Sequence, residues 1–252
     1  MATRLYFHAA ASAVGGTLPT TEQSAKTSIA DFESQATNRS MDTTIGVAQA
    51  TLSYANTTNT GANSIRYVSK FVSAPLDQTS IALNTWRYNF AAKLSRLIDD
   101  YPCNDTSKKV PICVYVWRPS TGAKVGNIFD TNSTSVYSDL GSFSPSLSTT
   151  SETSEDGTFS GSAVAGVQTG DVIIFEVWIN VYTRDSISTT LSWFYDGTVE
   201  TLTTGTTVSD QASFLETPEN LVFAGAGPAS INRQYNSYSN TGFMPSVASV
   251  TF

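Results

Sequence analysis

The longest apolar stretch of the chain, GDVIIFEVWINVYTRD (Gly170 to Asp185), alternates with a period of two. Its odd positions, Ile173, Phe175, Val177, Ile179 and Val181, are all apolar. Its even positions, Val172, Ile174, Glu176, Trp178, Asn180 and Tyr182, are mixed. Successive side chains of a strand point to opposite faces, so this pattern predicts a strand with one side in a core and an amphipathic other side. The same period recurs in NTWRYNF, where Trp86, Tyr88 and Phe90 share a face. In VPICVYVWRPSTG, Val110, Ile112, Val114 and Val116 oppose Cys113, Tyr115 and Trp117, and Pro119 and Gly122 end the run. LSWFYDGT places Leu191, Trp193 and Tyr195 on one face and closes on Asp196-Gly197. ASFLETPENLVF predicts two short strands around Pro218. Helical spacing is sparse. Phe90, Leu94, Leu97 and Ile98 predict a short helix capping the sheet. Thr20 and Gln23 fit a capping box ahead of Ala25, Ile29, Phe32 and Ala36.

Many strands separated by Gly, Pro and Asp turns, with almost no long helix, predict an all-β fold, a β-sandwich or a barrel; the jelly-roll-like form of the sandwich is what the resemblance given below implies. Residues 1–61 carry few aromatics, much Ala, Ser, Thr and Gly, and the loop-like YANTTNTGANS. They are expected to form an extended N-terminal arm holding the short helix. Residues 62–224 are expected to form the sandwich and 225–252 a C-terminal tail. Tyr6, Phe7, Leu18, Ile29 and Phe32 would then be apolar anchors through which the arm grips a partner.

Composition sharpens this. Charged residues are 14% of the 252, and Ser and Thr together supply about a quarter, well above average usage. The net charge is −7, which argues against nucleic acid as a partner and against an anionic membrane surface. No stretch approaches the roughly 18 apolar residues of a spanning helix. The apolar run Tyr6 to Ala11 is too short for a secretory signal, so we expect a protein made in the cytoplasm, where Cys103 and Cys113 are expected as free thiols, with a disulfide across a hairpin as the alternative.

Catalytic patterns are hard to find. His8 is the lone histidine, and two cysteines with one histidine do not make the usual zinc site. There is no nucleophile elbow, no phosphate-binding loop and no dinucleotide fingerprint. The acidic runs Asp99-Asp100 and Glu152 to Asp156 do not have the spacing of a calcium loop. Glu176 is expected to be structural, because no partner carboxylate or base is identifiable for it. We therefore expect no catalytic residue, cofactor or metal.

Several segments carry a resemblance. FVSAPLDQTSIALNTWRYNFAA, ICVYVWRPSTGAKVGNIFD, FSGSAVAGVQTGDVIIFEVW, WFYDGT and SFLETPENLVF follow one another as in jelly-roll domains of tailed-bacteriophage virion proteins. RLYFHAAASAVGGTLPTTEQ and NRSMDTTIG resemble segments of phage structural proteins as well. The resemblance implies a non-enzymatic virion component: a capsid cement (decoration) protein bound to the major capsid protein, or a tail or baseplate subunit. It also implies a homotrimer located on the capsid surface, and it supplies no catalytic residues. The exposed face of such a fold offers a further possibility, a carbohydrate-binding adhesin. Tyr115, Trp117, Trp178 and Tyr182 are the aromatic candidates, either for stacking on sugars or for subunit contacts.

Overall fold

The computed structural model describes residues 2–20, 34–45, 50–56, 63–94, 112–129, 153–182, 189–195 and 213–225. Among them are thirteen strands and no helix: β1 (Thr3–Ala11), β2 (Arg39–Asp42), β3 (Ala50–Asn56), β4 (Asn63–Ser73), β5 (Ser80–Ile81), β6 (Asn84–Leu94), β7 (Ile112–Arg118), β8 (Ala123–Phe129), β9 (Thr153–Gly161), β10 (Val164–Ala165), β11 (Val172–Tyr182), β12 (Thr189–Tyr195) and β13 (Phe214–Thr217). The all-β class is as expected.

Eleven strands form one mixed sheet, in the order β3-β12-β6-β13-β1-β2-β4-β11-β7-β8, with β9 on the other edge of β6. β5 and β10 form a separate pair. The β2–β4 pair is parallel and the other pairs are antiparallel. β6 is the branch point. Along one edge it meets β13 at Arg87–Asn89 and then β12 at Ala91–Leu94; along the other it pairs with β9. β8 and β9 then approach each other: Ser162 N donates to Ile128 O at 2.6 Å, and the Phe129 and Phe159 rings lie 4.5 Å apart. The sheet is thus nearly closed.

Closure gives the strands a common interior. Leu5, Phe7, Val68, Phe71, Trp86, Val114, Val116, Ile173, Phe175, Val177, Tyr195 and Leu215 all belong to one buried cluster. Phe7 sits at its centre, stacked on Phe71 at 4.4 Å and on Phe175 at 4.9 Å. Tyr195 meets Phe71 edge-on at 5.5 Å. Trp86 needs Gly161: a Cβ there would come within 2.5 Å of the indole. Ile173, Phe175 and Val177 of β11 point into this interior, as the period of two predicts.

Three expectations are corrected. First, the described residues within 1–61 are not an arm outside the core. β1 is hydrogen-bonded on both sides, to β13 and to β2, near the middle of the sheet, and Phe7 is fully buried. Leu5 and Phe7 alternate with Arg4 and Tyr6, a strand signal outweighed in the sequence by the scarcity of aromatics around it. The boundary between residues 61 and 62 disappears with it. Second, the helix expected over Phe90 to Ile98 is strand through Leu94, because pairing with β9 and β12 claims that backbone; residues 95–98 lie outside the described residues. Third, one strand, β13, precedes Pro218, and the segment after it contributes a bridge between Phe223 and Leu76. The helix expected after Thr20 and the tail beyond Gly225 also lie outside the described residues.

Candidate functional site: a buried polar centre under an N-terminal strap

Val172, Ile174 and Glu176 of β11 face away from the main core, yet they too are buried. Val172 and Ile174 join Val72, Cys113 and Tyr115 in a second apolar cluster on the outside of the sheet. A face of this kind needs cover, and the chain's own residues 12–20 provide it. Val14 and Leu18 pack on the cluster together with Trp117. This strap is fixed at both ends and in the middle. Ser12 N donates to Asn38 O at 2.8 Å, and Thr17 N donates to Pro119 O at 2.9 Å. Trp117 Nε1 donates to Thr17 O at 2.7 Å. Gly16, at φ 92°, lets the strap approach Pro119, whose carbonyl oxygen would lie 2.7 Å from a Cβ there.

Beneath the strap lies a row of polar side chains. Glu176 stands opposite Lys70 on β4 and opposite Cys113 on β7. Both Lys70 and Glu176 are fully buried. Tyr115 Oη donates to Glu176 Oε1 at 2.6 Å. Lys70 Nζ donates to the carbonyls of Pro19 and Thr20, and to that of Gln35 at 3.1 Å. A buried ammonium is tolerated only when its protons are taken up by acceptors. Here the acceptors are backbone carbonyls at the end of the strap and at the point where the chain returns towards β2. Lys70 therefore ties two separate segments to the sheet. What the cluster does chemically is hold charge and hydrogen bonds in place, with no exposed face on Lys70 or Glu176.

A second polar fastener lies at the end of β7. Arg118 Nε and Nη2 reach the two carboxylate oxygens of Asp171 at 2.9 and 2.8 Å, and Nη2 also donates to Gly166 O at 2.8 Å. The hydrogen bond to Asp171 raises the Arg118 guanidinium above its ordinary value. Asp171 also accepts from Gln168 N at 2.8 Å, so the turn leading into β11 is pinned. A third polar row crosses the outer face at β1–β13–β6, where Glu216 stands between Arg4 and Arg87. Arg4 Nε donates to Glu216 Oε2 at 2.6 Å, and the Arg4 guanidinium lies 4.2 Å from the centre of the Phe214 ring. His8 Nε2 lies 3.2 Å from Asp42 Oδ1.

The residues singled out from sequence separate. Tyr6 and Phe7 are buried, Tyr6 edge-on to Phe214 at 6.4 Å and Phe7 in the main core, so neither reaches outward to a partner. Leu18 is an anchor, but for its own sheet. Ile29 and Phe32 lie outside the described residues. Tyr115 is buried and Trp117 is half-buried with its indole N–H committed to the strap, so these two do not form an open platform for a sugar or a subunit. The backbone of Trp178 pairs with Tyr67 beside a bulge, and that of Tyr182 pairs with Asn63. Of the cysteines, Cys113 is buried beside Glu176, while Cys103 lies outside the described residues.

Sequence reasoning found Glu176 but not its counterpart. Lys70 sits in RYVSKFVS, a charge in the middle of an apolar strand just as Glu176 is. Two opposite charges each stranded in a buried strand were the available signal. Among the described residues, no group of three or more His, Cys, Asp or Glu side chains is arranged to hold a metal ion. No helix there is long and apolar enough to cross a membrane.

Fold and site together define an all-β protein with a large, nearly closed mixed sheet, strapped across its outer face by its own N-terminal segment. No family model and no curated protein matches the chain. Among solved structures, it is similar to a CocE/NonD family hydrolase from Staphylococcus aureus, with a TM-score of 0.41 and 9% sequence identity. The match covers 88% of this chain and 36% of the hydrolase, so the chain spans little more than a third of that protein's length.

Proposed function

We propose that the chain is a non-enzymatic structural subunit of a tailed-phage virion, a cement protein that binds the major capsid protein and stabilises the shell. Within this reading the fold is a jelly-roll-like sandwich whose curled sheet buries one continuous core. The sequence resemblance supplies the class and the homotrimeric state. The observation that carries the reading is the use made of the buried charges. Lys70 and Arg118 each tie backbone from distant parts of the chain onto the sheet, and Glu176 lies fully buried beneath the strap. Such fastening suits a particle component that must persist outside a cell.

The contact with the capsid is made by surfaces other than Tyr6, Phe7 and Leu18, which are committed within the chain. The test is co-sedimentation of the purified chain with heads of the encoding phage that lack it. Saturable binding, with protein added in multiples of three, is the expected result. Absence of binding would overturn the capsid assignment. Hydrolysis of an ester or glycan by the pure protein, abolished by Glu176→Gln, would overturn the non-enzymatic one.

A further inference from the structure

Among the described residues, closure leaves one end of the sheet unpaired. β3 stands at the terminus of the strand order and pairs with β12 alone among the described residues. That pairing runs through seven residues, Ala50 to Asn56 against Tyr195 to Thr189, without a register shift. The free side of an edge strand is a row of backbone donors and acceptors ready for another strand. Natural edges are usually blunted by charge, proline, a bulge or short length. The sequence ATLSYAN has no charge and no proline, shows no bulge, and exceeds the usual strand length of about five to six residues.

We propose that this edge joins the chain to a second copy of itself, β3 against β3 in antiparallel register about a two-fold axis through Ser53. The strand is suited to itself. An isologous contact sets each residue against a symmetry mate. Centred on Ser53, it would place Leu52 opposite Tyr54 and Thr51 opposite Ala55, with no like charges facing. Serine opposite serine is already accommodated on the other side of the same strand, where Ser53 Oγ lies 3.0 Å from Ser192 Oγ. The side chains of Thr51 and Ser53 are exposed, while Ala50 and Leu52 pack on the main core, so the strand is held flat for its partner. An extended peptide from another protein could use the same backbone groups, but a neutral, self-complementary strand selects no foreign charge pattern. The contact is independent of the proposed trimer. Combined with the proposed trimer, it pairs two trimers when its two-fold axis meets the three-fold at right angles.

The experiment uses the full chain with Ser53→Lys, Ser53→Glu and Ser53→Cys. Either charged variant places like charges directly opposite one another across the axis and should raise the dissociation constant of the doubled species by about tenfold or more. Sedimentation velocity should show wild type at twice the mass of each charged variant, more fully at higher salt, where repulsion between copies of net charge −7 is screened. Mixing Ser53→Lys with Ser53→Glu should restore the doubled mass, which a folding defect would not do. Ser53→Cys should give a covalent dimer on mild oxidation with copper–phenanthroline, where wild type gives none. Wild type at the same mass as the charged variants, or a mixture that fails to recover the doubled species, overturns the proposal.

Discussion

Replacing Phe7 with Ala is expected to destabilise the protein by about 3–5 kcal/mol, the range for deleting a buried phenylalanine ring. The ring lies between Phe71 and Phe175 and is fully buried, so its loss opens a cavity in the middle of the stack. β1 is also held on both edges, which leaves little freedom for the strand to collapse into the gap. Removing residues 1–20 altogether should be worse. It takes out a central strand, leaves β13 and β2 without the strand that joins them, and strips the cover from Val72, Tyr115 and Ile174. The truncated chain should aggregate or lose its cooperative melt. Urea titration of Phe7→Ala and a thermal melt of the truncation check this. A Phe7→Ala cost within about 0.5 kcal/mol, the level of ordinary surface changes, would mean that β1 is peripheral.

The second large effect belongs to Lys70. Lys70→Met keeps most of the side-chain volume and removes the ammonium. The carbonyls of Pro19, Thr20 and Gln35 lose this donor, and the lysine in register with Glu176 is gone. Removing a buried charged donor strips a hydrogen bond from each of these carbonyls, and we expect a loss of about 3 kcal/mol. Glu176→Gln retains an acceptor for Tyr115 and should cost less, about 1–2 kcal/mol. The double variant should be less destabilised than the sum, because it leaves no buried charge uncompensated. Strict additivity in chemical denaturation would show that the two groups do not act together. Trp117 offers an independent readout: its indole rests against the strap, so its fluorescence should shift towards that of exposed tryptophan in Lys70→Met before global unfolding.

Much of the fold was legible in the pattern of alternation. The period of two identified both strands, Val172–Tyr182 and Ile112–Arg118, and over Val172 to Val177 and Ile112 to Trp117 the sides it assigned are the two sides found, one in the main core and one under the strap. Even the need for cover on the second face could be read from its apolar content. Its source could not. Val14 and Leu18 are isolated apolar residues in a loop-like stretch with no periodicity, and their role depends on where β1 delivers the strap. The misread element at Phe90 has a related cause. Phe90 and Leu94 are four apart, which suits a helix face and one side of a strand equally, and only the partners β9 and β12 decide between them. Lys70 was overlooked for a different reason, although its place in an apolar strand was a signal. A lysine in a strand normally marks solvent, and its burial becomes reasonable only once three carbonyls from two distant segments are seen to converge on it.

The account rests on the N-terminal residues being part of the sheet, with the strap built on them. Hydrogen exchange of the native full-length chain tests this most directly, because protection reports the opening free energy of each amide. The amides of Leu5, Tyr6 and Phe7, the last donating to Ser213 O at 3.1 Å, should exchange as slowly as those of Ile173 to Val177. Exchange of β1 within seconds while β11 stays protected for hours would contradict the account, and would return the first twenty residues to the status of an arm.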